Sequence, residues 1–97
     1  KYRLEYSKVP PLSEYDEDLK LAWFIARGVT PKKTRNGKTF WIVDVIDSNC
    51  QVNSIKCWNV RPNDRVYVNR PYIGKLEYDP QWGFSTRSIK HNFKLVG

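Results

Sequence analysis

From residue 21 onward, runs of β-forming residues alternate with polar, turn-forming stretches, and no helical period of apolar positions intervenes. This pattern predicts strands. Residues 21–30, LAWFIARGVT, form the first, and Gly28 inside it marks a bulge or tight bend. Asn36-Gly37, two residues that accept positive φ, predicts a two-residue hairpin turn into a second strand over 38–47. The polar turn DSNCQ leads to a third strand over 52–58. The connector NVRPND is too short and Pro-broken for a helix of any length. A long fourth strand is expected over 65–78, interrupted near Pro71 and Gly74. After the turn DPQWG comes a fifth over 84–96 with a ragged end. Ahead of the strands, residues 1–20 read as a connector. In KVPPLSEYDEDLK, Ser13 is placed to cap a short helix with Glu14, Asp16 and Glu17 early in it, and Leu12, Tyr15, Leu19 and Leu21 are available to dock it.

Five strands in a chain of 97 residues predict one all-β domain. An open five-stranded sheet exposes two edges, a hazard that barrel closure removes. The expected architecture is a five-stranded Greek-key OB-fold barrel over residues 21–97, preceded by the 1–20 extension. SH3-like barrels are the competing five-strand form, and the long curved first strand and the length of the second favour the OB barrel. Alternation along the second strand puts Phe40, Ile42, Asp44 and Ile46 on one face and Trp41, Val43, Val45 and Asp47 on the other.

Composition sharpens the functional side. The net charge is +7, and it is uneven: residues 1–21 hold four Lys/Arg and five Asp/Glu, the remainder thirteen and five. A basic body attracts polyanions. Fourteen per cent of the residues are aromatic, including four Trp. No apolar run has the length of a membrane span, so no membrane partner is expected and the expected location is cytoplasmic. The chain lacks methionine even at position 1, which suggests a piece of a longer polypeptide or a trimmed chain. Cys50 and Cys57 with the distant His91 make no metal signature, and two reduced cysteines are expected rather than a disulfide. A catalytic His, Cys or carboxylate set is not evident, and RNGK is a hairpin turn rather than a phosphate loop. The reading is therefore a non-enzymatic module without a cofactor.

The segment GVTPKKTRNGKTFWIVDVIDS, residues 28–48, resembles the OB domain of bacterial DNA polymerase III alpha subunits. The features that carry the resemblance are Gly28, then Lys32 and Lys33, then Thr34, Gly37 and Lys38 at the tip, then Val45 and Asp47. Two features depart from that family. DSNCQ replaces the usual glycine turn after strand two, and NVRPND replaces the helix between strands three and four. The resemblance implies that Val43, Val45 and Asp47 point into the barrel. Phe40 and Ile42 then face out, and Trp41 belongs to the core or a barrel end. The opposite assignment would make Trp41 the stacker. The resemblance also implies a setting in DNA replication, within or beside a polymerase, with other replication proteins as further partners.

OB domains bind single strands across strands two and three, flanked by the loops between strands one and two and between four and five. Here the first loop carries Lys32, Lys33, Arg35 and Lys38. The bed holds Phe40, Ile42, Lys56 and Trp58. The second loop, YDPQWGFSTR, carries Tyr78, Trp82, Phe84 and Arg87. Cations neutralise phosphates and aromatic faces stack on bases. Trp58 and Trp82 each have a second reading, as a barrel-end plug and a lid on apolar side chains, while Trp23 reads as structural. Asp44 is placed to pair with Lys56 across the strands, and Arg61, Arg65 and Arg70 look scattered. The expected partner is single-stranded DNA, or RNA, with little sequence preference. A protein-interaction module using the same aromatic face is the alternative, as is an OB domain binding RNA or tRNA.

Overall fold

The computed structural model describes residues 9–47 and 49–96. The first eight residues of the expected connector, Ser48 of the DSNCQ turn and Gly97 lie outside them. The chain is all-β. A single curled sheet contains β1 (Leu21–Lys33), β2 (Thr39–Ile46), β3 (Val52–Cys57), β4 (Pro71–Lys75), β5 (Glu77–Asp79), β6 (Gly83–Thr86) and β7 (Phe93–Leu95), in the order β5-β6-β3-β2-β1-β4-β7. All neighbours are antiparallel except β3 and β6. Only Leu76 separates β4 from β5, yet β4 pairs with β1 and β5 pairs with β6. One extended segment thus supplies the edge strand β5 on one side of the sheet and β4, next to the opposite edge strand β7, on the other. The Leu76 N–H donates to the Lys20 carbonyl at 2.8 Å, just before β1 begins.

Several local expectations meet their physical reasons here. The β1–β2 register shifts between Ala26 and Gly28, so the glycine marks a bulge and the long strand bends there. The hairpin tip is longer than a two-residue turn: Thr34 and Lys38 pair through a 2.9 Å bond, and Gly37 alone at the tip has positive φ, +81°. That is a type I turn followed by a left-handed glycine, the three-residue form. The predicted fourth strand shrinks because Asn69, at φ +66°, turns the chain before Pro71. Arg70 therefore stands in an exposed loop rather than mid-strand. The predicted fifth strand divides around α1 (Ile89–Asn92), where Ser88 accepts a bond from the His91 N–H at 3.4 Å. Among the described residues the sheet has seven strand segments, against five expected from the sequence.

The connector folds back onto the sheet. It forms only a 3-10 turn, Leu12–Glu14, whose N-cap position is Pro11 rather than Ser13. Leu12 is buried and Tyr15 packs on the core, whereas Leu19 is 43% exposed. The Ser13 N–H serves a different group, the Asp47 carboxylate, at 2.6 Å. Asp47 is buried and also accepts from the N–H groups of Asn49 (2.9 Å) and Gln51 (3.1 Å), closing the β2–β3 turn and tying the connector to it. Burial pushes its pKa up, but the bonds from Ser13, Gln51 and Asn49 outweigh that and hold it below its usual value. Since the folded pKa lies below the unfolded one, the stabilisation is present above about pH 4 and is lost as pH falls through the depressed value. Asp47→Ala should cost about 1.5–3 kcal/mol at pH 7. Urea unfolding from pH 7 to 2 should show a flatter acid limb for the variant than for the parent chain.

Val43 and Val45 are fully buried beside Asp47, with buried Ile55 opposite Val43 and buried Cys57 opposite Trp41 on β3, so this face of β2 points inward. Both cysteines are free thiols, Cys50 exposed and Cys57 buried. Burial, with Asp64 nearby, pushes the Cys57 thiol up to about 12. Cys57 is a core side chain.

Candidate nucleic-acid interface

Once Val43, Val45, Ile55 and Cys57 point inward, alternation sends Phe40, Ile42, Lys56 and Trp58 to the outer face. Cross-strand register then aligns them in rows. Lys32 lies opposite Phe40. Trp41 opposes Cys57, which places Phe40 beside Trp58, and their rings stack at 4.5 Å with 28° between planes. Cys57 opposes Thr86 and the Trp58 N–H donates to the Thr86 carbonyl at 2.9 Å, so Arg87 comes next. Lys32, Phe40, Trp58 and Arg87 form one row about 14 Å wide at ordinary strand spacing. The next row runs Thr30, Ile42, Lys56, Ser85 and Glu77.

The row has cations at both ends and a mutually braced ring pair between them. Phe40 and Trp58 are half-buried, and each restricts the other's rotation. In the second row, Lys56 holds its Nζ 5.1 Å from the centroid of the Trp82 ring. That contact replaces the expected pairing with Asp44, which instead sits opposite Ser54. Trp82 is 64% exposed, so it lids no core residue. The Asp79 carboxylate holds its turn by accepting from the N–H groups of Gln81 (2.7 Å) and Trp82 (3.1 Å). Trp41 packs against the core, as does Phe84, whose ring meets Tyr15 edge-on at 5.2 Å.

Beside the row lies a cleft of about 880 Å³ whose walls include Trp58, Lys56, Trp82 and Tyr78. Its other wall was not anticipated. Tyr15, Glu17, Asp18 and Lys20 come from the folded-back connector, and Glu77 and Asp79 from β5. Burial and the nearby Glu17, Glu77 and Asp16 raise the pKa of Tyr15, whose hydroxyl donates to the Leu76 carbonyl at 2.6 Å. Four carboxylates against two lysines make this cleft hostile to phosphates but open to aromatic contact. Glu77 also approaches Arg87, at 3.9 Å, across an exposed pair that adds little stability.

Seven predicted site residues therefore share one surface: Lys32, Phe40, Ile42, Lys56, Trp58, Trp82 and Arg87. The other three, Lys33, Arg35 and Lys38, remain at the exposed hairpin tip, with Lys33 opposite Thr39 and pointing to the other face by alternation. Among the described residues, no group of three or more His, Cys, Asp or Glu is placed to hold a metal ion. Nor is any helix there long and apolar enough to cross a membrane. Comparison with protein-family models, curated proteins and solved structures finds no match to this chain.

Proposed function

We propose that this domain binds single-stranded nucleic acid, DNA in the first instance, along the Lys32–Phe40–Trp58–Arg87 row. The observation that carries the reading is that row: two cations flanking a stacked Phe–Trp pair on one open sheet face. Single-strand binders combine these elements because cations follow the backbone while rings stack on bases of any sequence. Phosphates contact Lys32 and Arg87 at the two ends of the row, where Arg87 gives up its exposed 3.9 Å approach to Glu77, rather than the carboxylate-lined cleft. Bases turn toward Trp58 and Trp82. The hairpin cations Lys33, Arg35 and Lys38 extend the attraction beyond the sheet and steer the strand in.

The fold supports the same proposal. Taken as one strand broken at Leu76, β4 and β5 complete a ring with β1, β2, β3 and β6. The parallel β3–β6 pair and the antiparallel β1–β4 pair support reading the sheet as a five-stranded Greek-key barrel of the OB type. On that reading β7 and α1 are additions. The likeness of residues 28–48 to polymerase III alpha OB domains sets the proposed context in DNA replication, with a polymerase as neighbour. A protein partner is the second reading, favoured by the four carboxylates and the exposed Trp82.

Titration of oligothymidine at about 50 mM and 200 mM salt, followed by tryptophan fluorescence, tests the proposal. Saturable quenching at low salt that weakens steeply at high salt is the expected outcome. A folded domain that shows neither quenching nor a change in the anisotropy of labelled oligothymidine at low salt would remove the nucleic-acid reading.

A further inference from the structure

Arg61 and Arg65 lie four residues apart and Lys90 well downstream of both, yet all three line one pocket of about 410 Å³ between the 58–70 connector and α1. Its acidic member, Asp64, is buried, and its carboxylate accepts from the Arg61 N–H at 2.8 Å. The three cations are exposed. Arg65 is also held in place: its Nη1 donates to the carbonyls of Pro62 (3.3 Å) and Asp64 (3.0 Å). Both bonds use one nitrogen, so Nε and Nη2 remain for an anion, and a guanidinium fixed in this way loses little freedom on binding one. Tyr67, 55% exposed, adds a ring at the same pocket. Three exposed cations with a ring, against the single carboxylate of Asp64, repeat the cation-and-ring composition of the sheet row with fewer carboxylates than the four of the main cleft.

The pocket adjoins the end of that row. Arg61 follows Trp58 by three residues and Lys90 follows Arg87 by three, and three residues span at most about 10 Å. Asn59 binds the two segments together through its Nδ2 bond to the Arg87 carbonyl at 3.1 Å. We propose that this pocket is a second contact for the same strand. Arg61, Arg65 and Lys90 hold backbone phosphates of nucleotides that run past Arg87, and Tyr67 offers a surface to a base. The inference rests on the nucleic-acid reading above and adds a direction and a length to it.

The test compares the parent chain with Arg65→Ala/Lys90→Ala on labelled oligothymidines from about 4 to 16 nucleotides, the range of single OB-type sites. The parent's affinity should climb with length. The variant should bind the shortest oligomer as the parent does and lose the gain at greater length. For the longest oligomer, the slope of log affinity against log salt should fall by about 1.4, that is about 0.7 for each lost phosphate contact. Lys90→Ala alone leaves the Arg65 carbonyl bonds untouched and should give half that change. If parent and variant bind with the same length dependence and slope, the second contact is overturned while the sheet-face reading stands. An equal loss at every length also overturns it, because the cations then act only as diffuse charge. Failure of the parent to bind any oligomer overturns both readings.

Discussion

Trp58→Ala should weaken binding to unstructured oligothymidine roughly 5- to 150-fold, the equivalent of about 1–3 kcal/mol for one stacked base. Its ring lies between Phe40, which braces it from β2, and the cleft, which it helps to line. Phe40→Ala should cost less, since Phe40 lies outside the cleft lining and acts mainly by restricting Trp58. Lys32→Ala should behave differently from both. It removes a phosphate contact, so its effect should shrink as salt rises, and the salt slope should fall by about 0.7. The loss at Trp58 should persist at high salt. Anisotropy of a labelled oligomer reads all three variants without relying on the tryptophan removed. Thermal unfolding close to that of the parent chain is expected, because these side chains stand on the outer face.

The largest effect on stability should come from Phe24→Ala, at about 3–5 kcal/mol. Phe24 is fully buried in the first part of β1, opposite β4, and meets two other rings: Tyr72, near-parallel at 6.2 Å, and Phe93, edge-on at 5.3 Å. A domain of this size has only about 5–15 kcal/mol in total. The variant should therefore melt far below the parent, by roughly 4–8 °C for each kcal/mol lost. Its neighbour Gly74 makes the contact testable. A Cβ on Gly74 would stand 2.8 Å from one Phe24 ring carbon and 3.1 Å from another. The ring is pinned by Tyr72 and Phe93 and cannot yield cheaply, so Gly74→Ala should cost about 1–3 kcal/mol by overpacking. Combined with Phe24→Leu, which vacates that space, the loss should fall short of the two single losses added together by at least about 0.5 kcal/mol. Chemical denaturation of the four chains measures this coupling directly, and strict additivity would mean that β1 and β4 do not approach as described.

Much of the strand framework is written locally. The alternation of Val43, Val45 and Asp47 with Phe40, Ile42 and Asp44 names the buried face, because a strand repeats every two residues. Gly28 names the bulge because its neighbours on β1 are all bulkier. The breaks are less legible. Val66, Tyr67 and Val68 are β-formers, yet they lie in a loop, since Asn69 takes a left-handed conformation and Pro71 starts β4. Lys20, also left-handed at φ +59°, ends the connector with no glycine to announce it. The four-residue helix α1 is too short to leave an apolar period, and only its Ser88 cap and the basic residues of its last turn mark it locally.

The site divides in the same manner. Cation density at the hairpin tip and the parity of Phe40 and Lys56 are local properties, readable from spacing. That Lys32, Phe40, Trp58 and Arg87 form a row depends on register across four strands, which no local pattern specifies. The acidic wall of the cleft arises because the connector folds back through Leu12, Tyr15 and the Ser13–Asp47 bond. Glu17 and Asp18 look like early helix residues in the sequence, and their position beside Trp58 and Trp82 follows from that tertiary docking. Arg61 and Arg65 look scattered in the sequence, and their place beside Lys90 likewise follows from tertiary packing.

The central claim is that a single strand lies along one row of the outer sheet face, and amide chemical-shift mapping addresses it most directly. On addition of oligothymidine to the isotopically labelled chain at low salt, the account predicts that the largest changes fall at Lys32, Phe40, Lys56, Trp58 and Arg87. The Trp58 indole N–H should move with them, while Ala22 and Val45 in the core stay still. Shifts confined to Glu17, Asp18 and Asp79, or spread evenly over the exposed lysines, would contradict it.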